Sequence, residues 1–221
     1  MAEFERAAVI GTGTMGPGMG AVLARVGIPT AMYDVSVDAI ERARAAVALA
    51  EGVLERLEAP AASGGSVTFE SDLGAALEGA DIVFEAVPER LEVKHEVFRE
   101  FEKHVDADAV LASNTSGIPI TAIAEACEHP ERVIGNHWSN PPHLIPMIEV
   151  IPGERTSQEV VDRTCALIRR IGYHPVVERE VAASSRTPTA RVRSARRAAA
   201  RAGSRRSRAP WPPRSPTRGS R

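Results

Sequence analysis

A histidine and a glutamate in the second half of the chain are spaced as a proton-transfer pair could be. His137 directly follows the segment 132–136, and Glu149 lies 12 residues further on, inside the apolar run 147–151. A carboxylate in such a run destabilises the fold unless it is paired, and a histidine on the adjacent strand would pair with it. We therefore predict that His137 is a general base and that Glu149 sets its tautomer and basicity. The alternatives are a structural salt bridge and a solvent-facing glutamate on an edge strand.

A glycine-rich turn near the N-terminus predicts a nucleotide site. The sequence Gly11-Thr12-Gly13-Thr14-Met15-Gly16 follows the apolar run 7–10 and precedes a helical pattern. Such glycines allow a tight turn, close approach of the backbone to a pyrophosphate and close helix packing, and the helix N-terminus faces the diphosphate. Asp34 lies 18 residues beyond Gly16, where an acid can bind a ribose 2′-hydroxyl and repel a 2′-phosphate. The predicted contacts of NAD, favoured over NADP, are Gly11, Gly13, Thr14, Met15, Gly16 and Asp34.

Small polar residues follow another predicted strand. The sequence Ser113-Asn114-Thr115-Ser116 comes directly after the apolar run 109–112. Hydroxyl and amide groups at a strand end can position a polar substrate beside a nicotinamide ring. Serine and threonine also favour helix N-caps, so capping is the alternative interpretation.

Short apolar runs alternate with amphipathic stretches along the first 177 residues. The predicted strands are 7–10, 28–33, 67–69, 80–87, 109–112, 132–134, 144–151 and 173–177. The predicted helices are one that follows Gly16 and those at 37–57, 73–77, 89–104, 118–127 and 156–171. This order predicts an α/β fold, a Rossmann doubly wound and mostly parallel sheet covered on both faces. Its ligand should lie outside the carboxyl ends of the strands, where the strand order reverses.

Charge is distributed unevenly along the 221 residues. Residues 182–221 contain 12 of the 27 basic residues and none of the 29 acidic residues. This segment therefore carries +12 and residues 1–181 carry −14. The segment 182–221 consists mainly of Arg, Ala, Ser and Pro, so it cannot bury enough apolar surface to offset its ordering entropy. We predict a folded domain at 1–181 and a disordered tail at 182–221.

The cysteines and the N-terminal sequence predict the cellular compartment of the protein. Cys127 and Cys165 are the only cysteines and have no C-x-x-C spacing, which is typical of reduced thiols in a cytosolic protein. The first strand begins too close to Met1 for a signal peptide, and no apolar run is long enough to span a membrane. We expect a cytoplasmic protein that has no membrane partner and binds no metal.

Four segments together resemble the NAD-binding domain of the 3-hydroxyacyl-CoA dehydrogenase family over residues 5–181. They are 11–16, Glu85-Ala86-Val87-Pro88-Glu89, 113–116, and His137-Trp138-Ser139-Asn140-Pro141 followed by Glu149. The resemblance implies that Ser116 binds the substrate oxygen, His137 is the general base and Glu149 orients it. It also implies that Glu89, Lys94, Asn114 and Asn140 lie at the cofactor.

The resemblance implies the NAD-dependent oxidation of a secondary alcohol. The small-molecule substrate that it implies first is a 3-hydroxyacyl-CoA of fatty acid metabolism, which would be oxidised to the 3-oxoacyl-CoA. Acyl-CoA members of the family have basic residues near the loop after the long helix, whereas residues 45–80 contain only Arg56. The segment 137–149 is also similar to a branch that acts on small substrates other than CoA esters, including a pyridine carboxylate of vitamin B6 degradation. That branch is the alternative.

The resemblance ends after Val181. The family would continue with a helical second domain that completes the substrate cleft and forms a homodimer, whereas residues 182–221 are rich in Arg, Ala, Ser and Pro. We interpret this as a shifted reading frame in a GC-rich gene and expect weak turnover and no family-type dimer. The alternative for this segment is a basic tail that binds nucleic acid, with salt-sensitive retention on DNA. A further hypothesis is a non-catalytic NAD-binding remnant, in which replacement of Ser116 or His137 would change nothing.

Overall fold

The computed structural model describes residues 4–180, in which eight strands alternate with six α-helices. The strands are β1 (Ala7–Ile10), β2 (Thr30–Tyr33), β3 (Val67–Glu70), β4 (Ile82–Glu85), β5 (Val110–Ser113), β6 (Val133–Trp138), β7 (Met147–Pro152) and β8 (His174–Val177). The helices are α1 (Gly16–Arg25), α2 (Val37–Arg56), α3 (Leu73–Leu77), α4 (Leu91–His104), α5 (Ile120–Ala124) and α6 (Gln158–Arg170). The predicted domain boundary after Val181 and the predicted tail at 182–221 lie outside the described residues.

The strands form one sheet with the order β3-β2-β1-β4-β5-β6-β7-β8. Strands β1 to β6 pair in parallel, β7 runs antiparallel to β6, and β8 runs parallel to β7. The strand order reverses between β1 and β4, so a crevice opens at the carboxyl ends of these two strands. The predicted doubly wound, mostly parallel sheet is confirmed.

Helices cover both faces of this sheet. Helices α1, α2 and α6 pack on one face, where Met19 and Ile168 are buried. Helices α3, α4 and α5 pack on the other face, where Leu77 and Phe98 are buried. Because most strands are covered on both sides, they are continuous apolar runs in the sequence rather than alternating ones.

Side-chain caps fix where three of the helices begin. Ser36, Asp72 and Ser157 each accept a hydrogen bond from the backbone N–H three residues further along the chain. Each bond satisfies one of the donors that a helix N-terminus leaves unpaired. The predicted starts at 37 and 73 are confirmed, whereas α6 begins at Gln158, two residues later than predicted.

Several predicted elements are longer than the observed ones, and a proline or a turn explains three of the differences. The strand predicted at 144–151 begins only at Met147, because the N–H groups of Leu144 and Ile145 bond to the carbonyl of Pro141 in a turn. The helix predicted at 118–127 begins after Pro119, which disfavours helical conformation in the residue before it. The strand predicted at 80–87 begins at Ile82, since the N–H of Ala80 closes the turn that ends α3.

Both cysteines are free thiols. Burial, together with the nearby charge of Glu102, raises the pKa of Cys127 to about 12, and burial also raises the pKa of Cys165. Both side chains are therefore protonated at neutral pH, which agrees with the expectation of reduced thiols. Within residues 4–180 there is no helix long and apolar enough to cross a membrane and no group of three acidic, histidine or cysteine side chains that could hold a metal.

Gly52 allows a test of how much helix propensity at one position of α2 affects the free energy of unfolding. The residue lies inside this helix, and a Cβ added there would have no heavy atom within 4 Å. Because alanine is favoured over glycine in a helix interior by about 1 kcal/mol, we expect Gly52→Ala to raise the free energy of unfolding by that amount. Chemical denaturation followed by circular dichroism measures this change. Gly65→Ala is the opposite control, since its Cβ would lie 1.8 Å from the carbonyl oxygen of Ala24 and should destabilise the fold. A less stable Gly52→Ala variant would contradict the prediction.

Candidate active site

The glycine turn after β1 lines the crevice between β1 and β4. Gly11 has a φ of +104°, and a Cβ there would lie 2.5 Å from the carbonyl oxygen of Ala86, just after β4. A Cβ on Gly16 would lie 2.2 Å from the carbonyl oxygen of Gly11. The Cβ position of Gly13, in contrast, has no heavy atom within 4 Å. The turn is closely packed at Gly11 and Gly16 and open at Gly13, which fits a pyrophosphate that approaches the backbone there.

The N-terminus of α1 provides unpaired donors at the same place. Its N-cap residue, Met15, makes no side-chain hydrogen bond to the helix, and the first turn contains no acidic residue. The N–H groups of this turn and the helix dipole are therefore able to bind an anion. Gly13 and Thr14 are exposed, whereas Met15 is half-buried against the core, so the turn and the helix end together fit a dinucleotide diphosphate.

Asp34 lies beside this turn, at the end of β2. Its Oδ2 accepts hydrogen bonds from the backbone N–H of Thr12 (2.9 Å) and from the hydroxyl of Thr12 (3.0 Å), and its Oδ1 accepts one from the N–H of Ser36 (3.0 Å). The carboxylate is therefore held at one position against the glycine turn. Thr12 was not among the predicted site residues, although its place inside the glycine motif gave it the same context as its neighbours.

His137 and Glu149 form the contact that the sequence predicted. They lie opposite each other in the antiparallel pair of β6 and β7, and His137 Nδ1 donates to Glu149 Oε2 at 2.8 Å. Glu149 is 9% exposed, and β7 lies between β6 and β8, so the alternative of a solvent-facing glutamate on an edge strand is wrong. Because Nδ1 is the donor, the lone pair of Nε2 points away from the carboxylate and can accept a proton.

Ser116 lies on the loop after β5 and faces this imidazole. Its Oγ is 3.3 Å from His137 Nε2. Asn114 joins the ends of two strands, because its Oδ1 accepts a hydrogen bond from the backbone N–H of Trp138 at 2.8 Å. Thr115 Oγ1 accepts a hydrogen bond from the N–H of Ile118 at 2.9 Å, which closes a turn in the loop. The N-cap of α5 is Pro119, so the segment 113–116 caps no helix and the capping alternative is wrong. The hydroxyl of Ser116 and the imidazole of His137 converge on one point above the sheet.

Glu89 organises the backbone around Ser116. Its Oε1 accepts hydrogen bonds from the hydroxyl of Thr115 (2.7 Å) and from the N–H groups of Ser116 (2.8 Å) and Gly117 (2.9 Å). Partial burial raises the pKa of Glu89, but these donors and the charge of Lys94 outweigh it, so the net pKa lies below its ordinary value. Since Glu89 takes up these two backbone donors, the polar groups that face a substrate oxygen here are the Ser116 hydroxyl and His137 Nε2.

Lys94 lies beneath Glu89 and is fully buried. Its Nζ is 2.7 Å from both carboxylate oxygens of Glu85 and 3.3 Å from Glu89 Oε2. Burial raises the pKa of Glu85, and Lys94, Ser113 and the N–H of Val87 oppose that rise. The sequence placed Lys94 along the cofactor cleft, and the structure places its ammonium group between two carboxylates under the loop that carries Ser116.

The structure brings most of the predicted site residues to the carboxyl ends of β1, β4, β5 and β6. Asn140 lies on the exposed loop after β6, and its contact with the cofactor remains a prediction, as do the roles of the other predicted residues. Glu85 and Thr115 were not assigned roles from the sequence. The sequence does point to Glu85, because it is an acidic residue at the end of the apolar run 82–85. Glu149 was identified by the same kind of observation, as an acidic residue inside the apolar run 147–151.

The sequence pattern of the 3-hydroxyacyl-CoA dehydrogenase NAD binding domain matches residues 6–181. The 5-formyl-3-hydroxy-2-methylpyridine 4-carboxylate 5-dehydrogenase of Mesorhizobium japonicum is 51% identical over 172 residues, which are 77% of this chain and 56% of that protein. The chain therefore spans little more than half the length of this relative.

Solved structures agree with the sequence comparison. The crystal structure of a 5-formyl-3-hydroxy-2-methylpyridine 4-carboxylic acid 5-dehydrogenase, described as an NAD+-dependent dismutase, superposes with a TM-score of 0.80 at 46% identity, over 88% of this chain and 63% of that one. The 3-hydroxybutyryl-CoA dehydrogenase of Escherichia coli K12 superposes with a TM-score of 0.75 at 35% identity, over 81% of this chain and 39% of that one. The glycine turn, the His137–Glu149 pair and the matched pattern lead to one conclusion: this chain belongs to the 3-hydroxyacyl-CoA dehydrogenase family of NAD-dependent oxidoreductases and contains its NAD-binding domain.

Proposed function

We propose that this protein oxidises a hydroxyl group to a carbonyl group with NAD as the hydride acceptor. The observation that carries the proposal is the chain of contacts from Ser116 through His137 to Glu149, with distances of 3.3 Å and 2.8 Å. It lies at the carboxyl ends of β5 and β6, on the side of the sheet where the glycine turn opens. A base oriented by a buried carboxylate and a neighbouring hydroxyl are the groups that alcohol oxidation needs.

In this reaction the residues of the chain hold the substrate oxygen and remove its proton. The hydroxyl of Ser116 binds the oxygen, and Nε2 of His137 takes the proton as the C–H bond breaks and the C=O bond forms. Glu149 stabilises the imidazolium that results, through the Nδ1–H bond. The bound nicotinamide supplies the redox chemistry by accepting the hydride. The residues that would hold the cofactor are Gly11, Gly13, Thr14, Met15, Gly16, Asp34, Glu89, Asn114 and Asn140, whereas the buried Lys94 would act through Glu89.

Two substrate classes fit this chemistry. A 3-hydroxyacyl-CoA fits the secondary alcohol reaction that the family name describes. A small pyridine carboxylate is favoured by the 51% identity to the Mesorhizobium japonicum dehydrogenase and by the single basic residue, Arg56, between residues 45 and 80. An aldehyde of that class reaches the same mechanism as its hydrate, whose hydroxyl proton His137 would remove.

The two classes are separated by measuring NADH fluorescence in single-turnover reactions, with the protein in excess. We expect NADH formation with one of two substrates, 5-formyl-3-hydroxy-2-methylpyridine 4-carboxylate or 3-hydroxybutyryl-CoA, and the substrate that reacts identifies the class. The Ser116→Ala variant should form no NADH with either substrate. NADH formation that Ser116→Ala and His137→Gln leave unchanged would overturn the proposal and favour a cofactor-binding remnant.

Asp34 should determine the preference for NAD over NADP. We expect Asp34→Ala to weaken NADH binding about 10- to 100-fold, since a hydrogen bond to a charged group contributes about 1.5–3 kcal/mol. NADPH binding should change less, because the variant also removes a repulsive charge. Dissociation constants from NADH and NADPH fluorescence titrations measure both effects. Asp72→Ala, which removes the cap of α3, is the control and should bind both nucleotides as the parent chain does. Equal losses for NADH and NADPH would contradict this assignment.

A further inference from the structure

Two buried side chains, Glu85 and Lys94, and the exposed Glu89 link β4 to the loop that carries Ser116. Glu85 is 0% exposed and Lys94 is 1% exposed. The ammonium group of Lys94 contacts both oxygens of Glu85 at 2.7 Å and Glu89 Oε2 at 3.3 Å. The other oxygen of Glu89 binds Thr115 and the N–H groups of Ser116 and Gly117. The contacts therefore run without interruption from the end of β4 to Ser116.

Each member of this chain of contacts needs the next. A buried ammonium group is stable only when carboxylates compensate its charge, and Glu85 is the carboxylate that contacts it most closely. Glu85 is itself fixed by Ser113, whose hydroxyl donates to it, and by the N–H of Val87 at 2.8 Å. Glu85 and Ser113 are also register partners in the pair of β4 and β5. The rigid sheet thus holds Glu85, and Glu85 holds Lys94.

We propose that Glu85 is a positioning residue, which through Lys94 and Glu89 fixes the Ser116 loop so that the serine hydroxyl meets His137. This inference rests on the proposed function, in which Ser116 binds the substrate oxygen. Glu85 itself contacts neither Ser116 nor His137 in the hydrogen bonds of the described structure. Without its carboxylate, Lys94 keeps only Glu89 as a charged partner and draws it away from the loop amides.

The test compares Glu85→Gln with Glu102→Gln. Glu102 is the control, because its side chain is 9% exposed and pairs with Arg132 at 3.2 Å. It binds two backbone N–H groups, those of Glu128 and His129, as Glu89 does in the Ser116 loop. We expect Glu85→Gln to lower the single-turnover rate about tenfold or more, since a small displacement of a positioned group has effects of this size. The protein concentration that gives the half-maximal rate should change little. Glu102→Gln should leave the rate unchanged.

Amide hydrogen exchange provides a readout that does not depend on activity. In Glu85→Gln the N–H groups of Ser116 and Gly117 should exchange about tenfold faster, while those of Glu128 and His129 should not. In Glu102→Gln the pattern should be reversed. If the parent chain forms no NADH with any substrate, the proposed function fails, and this exchange pattern still decides whether the chain of contacts orders the loop.

The double variant Glu85→Gln/Lys94→Met separates positioning from stability. Removing both charges avoids an unpaired buried ion, so the melting temperature should recover relative to Glu85→Gln. The rate should stay low, because Glu89 has lost the ammonium group that holds it. Recovery of the rate together with the melting temperature would overturn the inference, as would unchanged exchange at Ser116 and Gly117 in Glu85→Gln.

Discussion

Replacing His137 by glutamine is expected to lower the single-turnover rate of NADH formation about a thousandfold, because a positioned general base contributes about 10²–10⁴-fold. Glutamine keeps a polar group opposite Glu149 but has no lone pair on a basic nitrogen at the position of Nε2. The proton of the substrate hydroxyl would then have to leave to water.

The matched control for this variant is His95→Gln. His95 lies on α4, and its Nε2–H donates to the carbonyl oxygen of Ala122 at 2.7 Å, so its replacement removes a comparable hydrogen bond outside the site. We expect the parent rate in this control and unchanged NADH affinity in both variants, as measured by fluorescence titration. A His137→Gln variant that keeps more than a tenth of the parent rate would contradict the role of His137 as base.

The fold could be predicted from the sequence because its strands are covered on both faces. Continuous apolar runs such as 82–85 and 109–112 have few other structures available to them. The predicted starts of two helices also agree with the caps that the structure shows, Ser36 and Asp72. The direction of β7 was not predicted, although the connection 139–146 is too short for the crossover that a parallel partner of β6 would need. The pairing of His137 with Glu149 depends on that antiparallel register.

The sequence predicted a site residue where a charged side chain lies in an apolar run. Glu85 was missed because this reasoning was not applied to it. Glu149 was identified because a carboxylate in an apolar run needs a partner. Glu85 also ends an apolar run, and its partner, Lys94, lies nine residues further along in α4. Lys94 lies four residues before Phe98, on the apolar face of that helix, but this position alone does not name the carboxylate with which it pairs. Contacts between side chains on different elements require the packing of α4 on the sheet to be known.

Replacing Gly11 by alanine is expected to destabilise the protein by about 3 kcal/mol, the upper part of the range for a residue forced into a disfavoured backbone conformation. The φ of +104° is one that side-chain-bearing residues rarely adopt, and the new Cβ would lie 2.5 Å from the carbonyl oxygen of Ala86. Neither the turn nor the end of β4 can move without disturbing the parallel pair of β1 and β4. Thermal denaturation should show a melting temperature lower by about 10 °C.

Gly13→Ala is the counterpart that separates folding from binding within the same turn. Its Cβ would have no heavy atom within 4 Å, so the melting temperature should stay within about 2 °C of the parent value. The same Cβ would project into the space through which the backbone approaches the pyrophosphate, so NADH affinity should fall about tenfold or more. If the diphosphate binds elsewhere, Gly13→Ala will bind NADH as the parent chain does, and the assignment of this turn to the cofactor will be wrong. The two glycines lie two residues apart in one turn. A loss of stability in Gly11→Ala and a loss of NADH affinity alone in Gly13→Ala would therefore reflect where each Cβ lies, against Ala86 at Gly11 and in open space at Gly13.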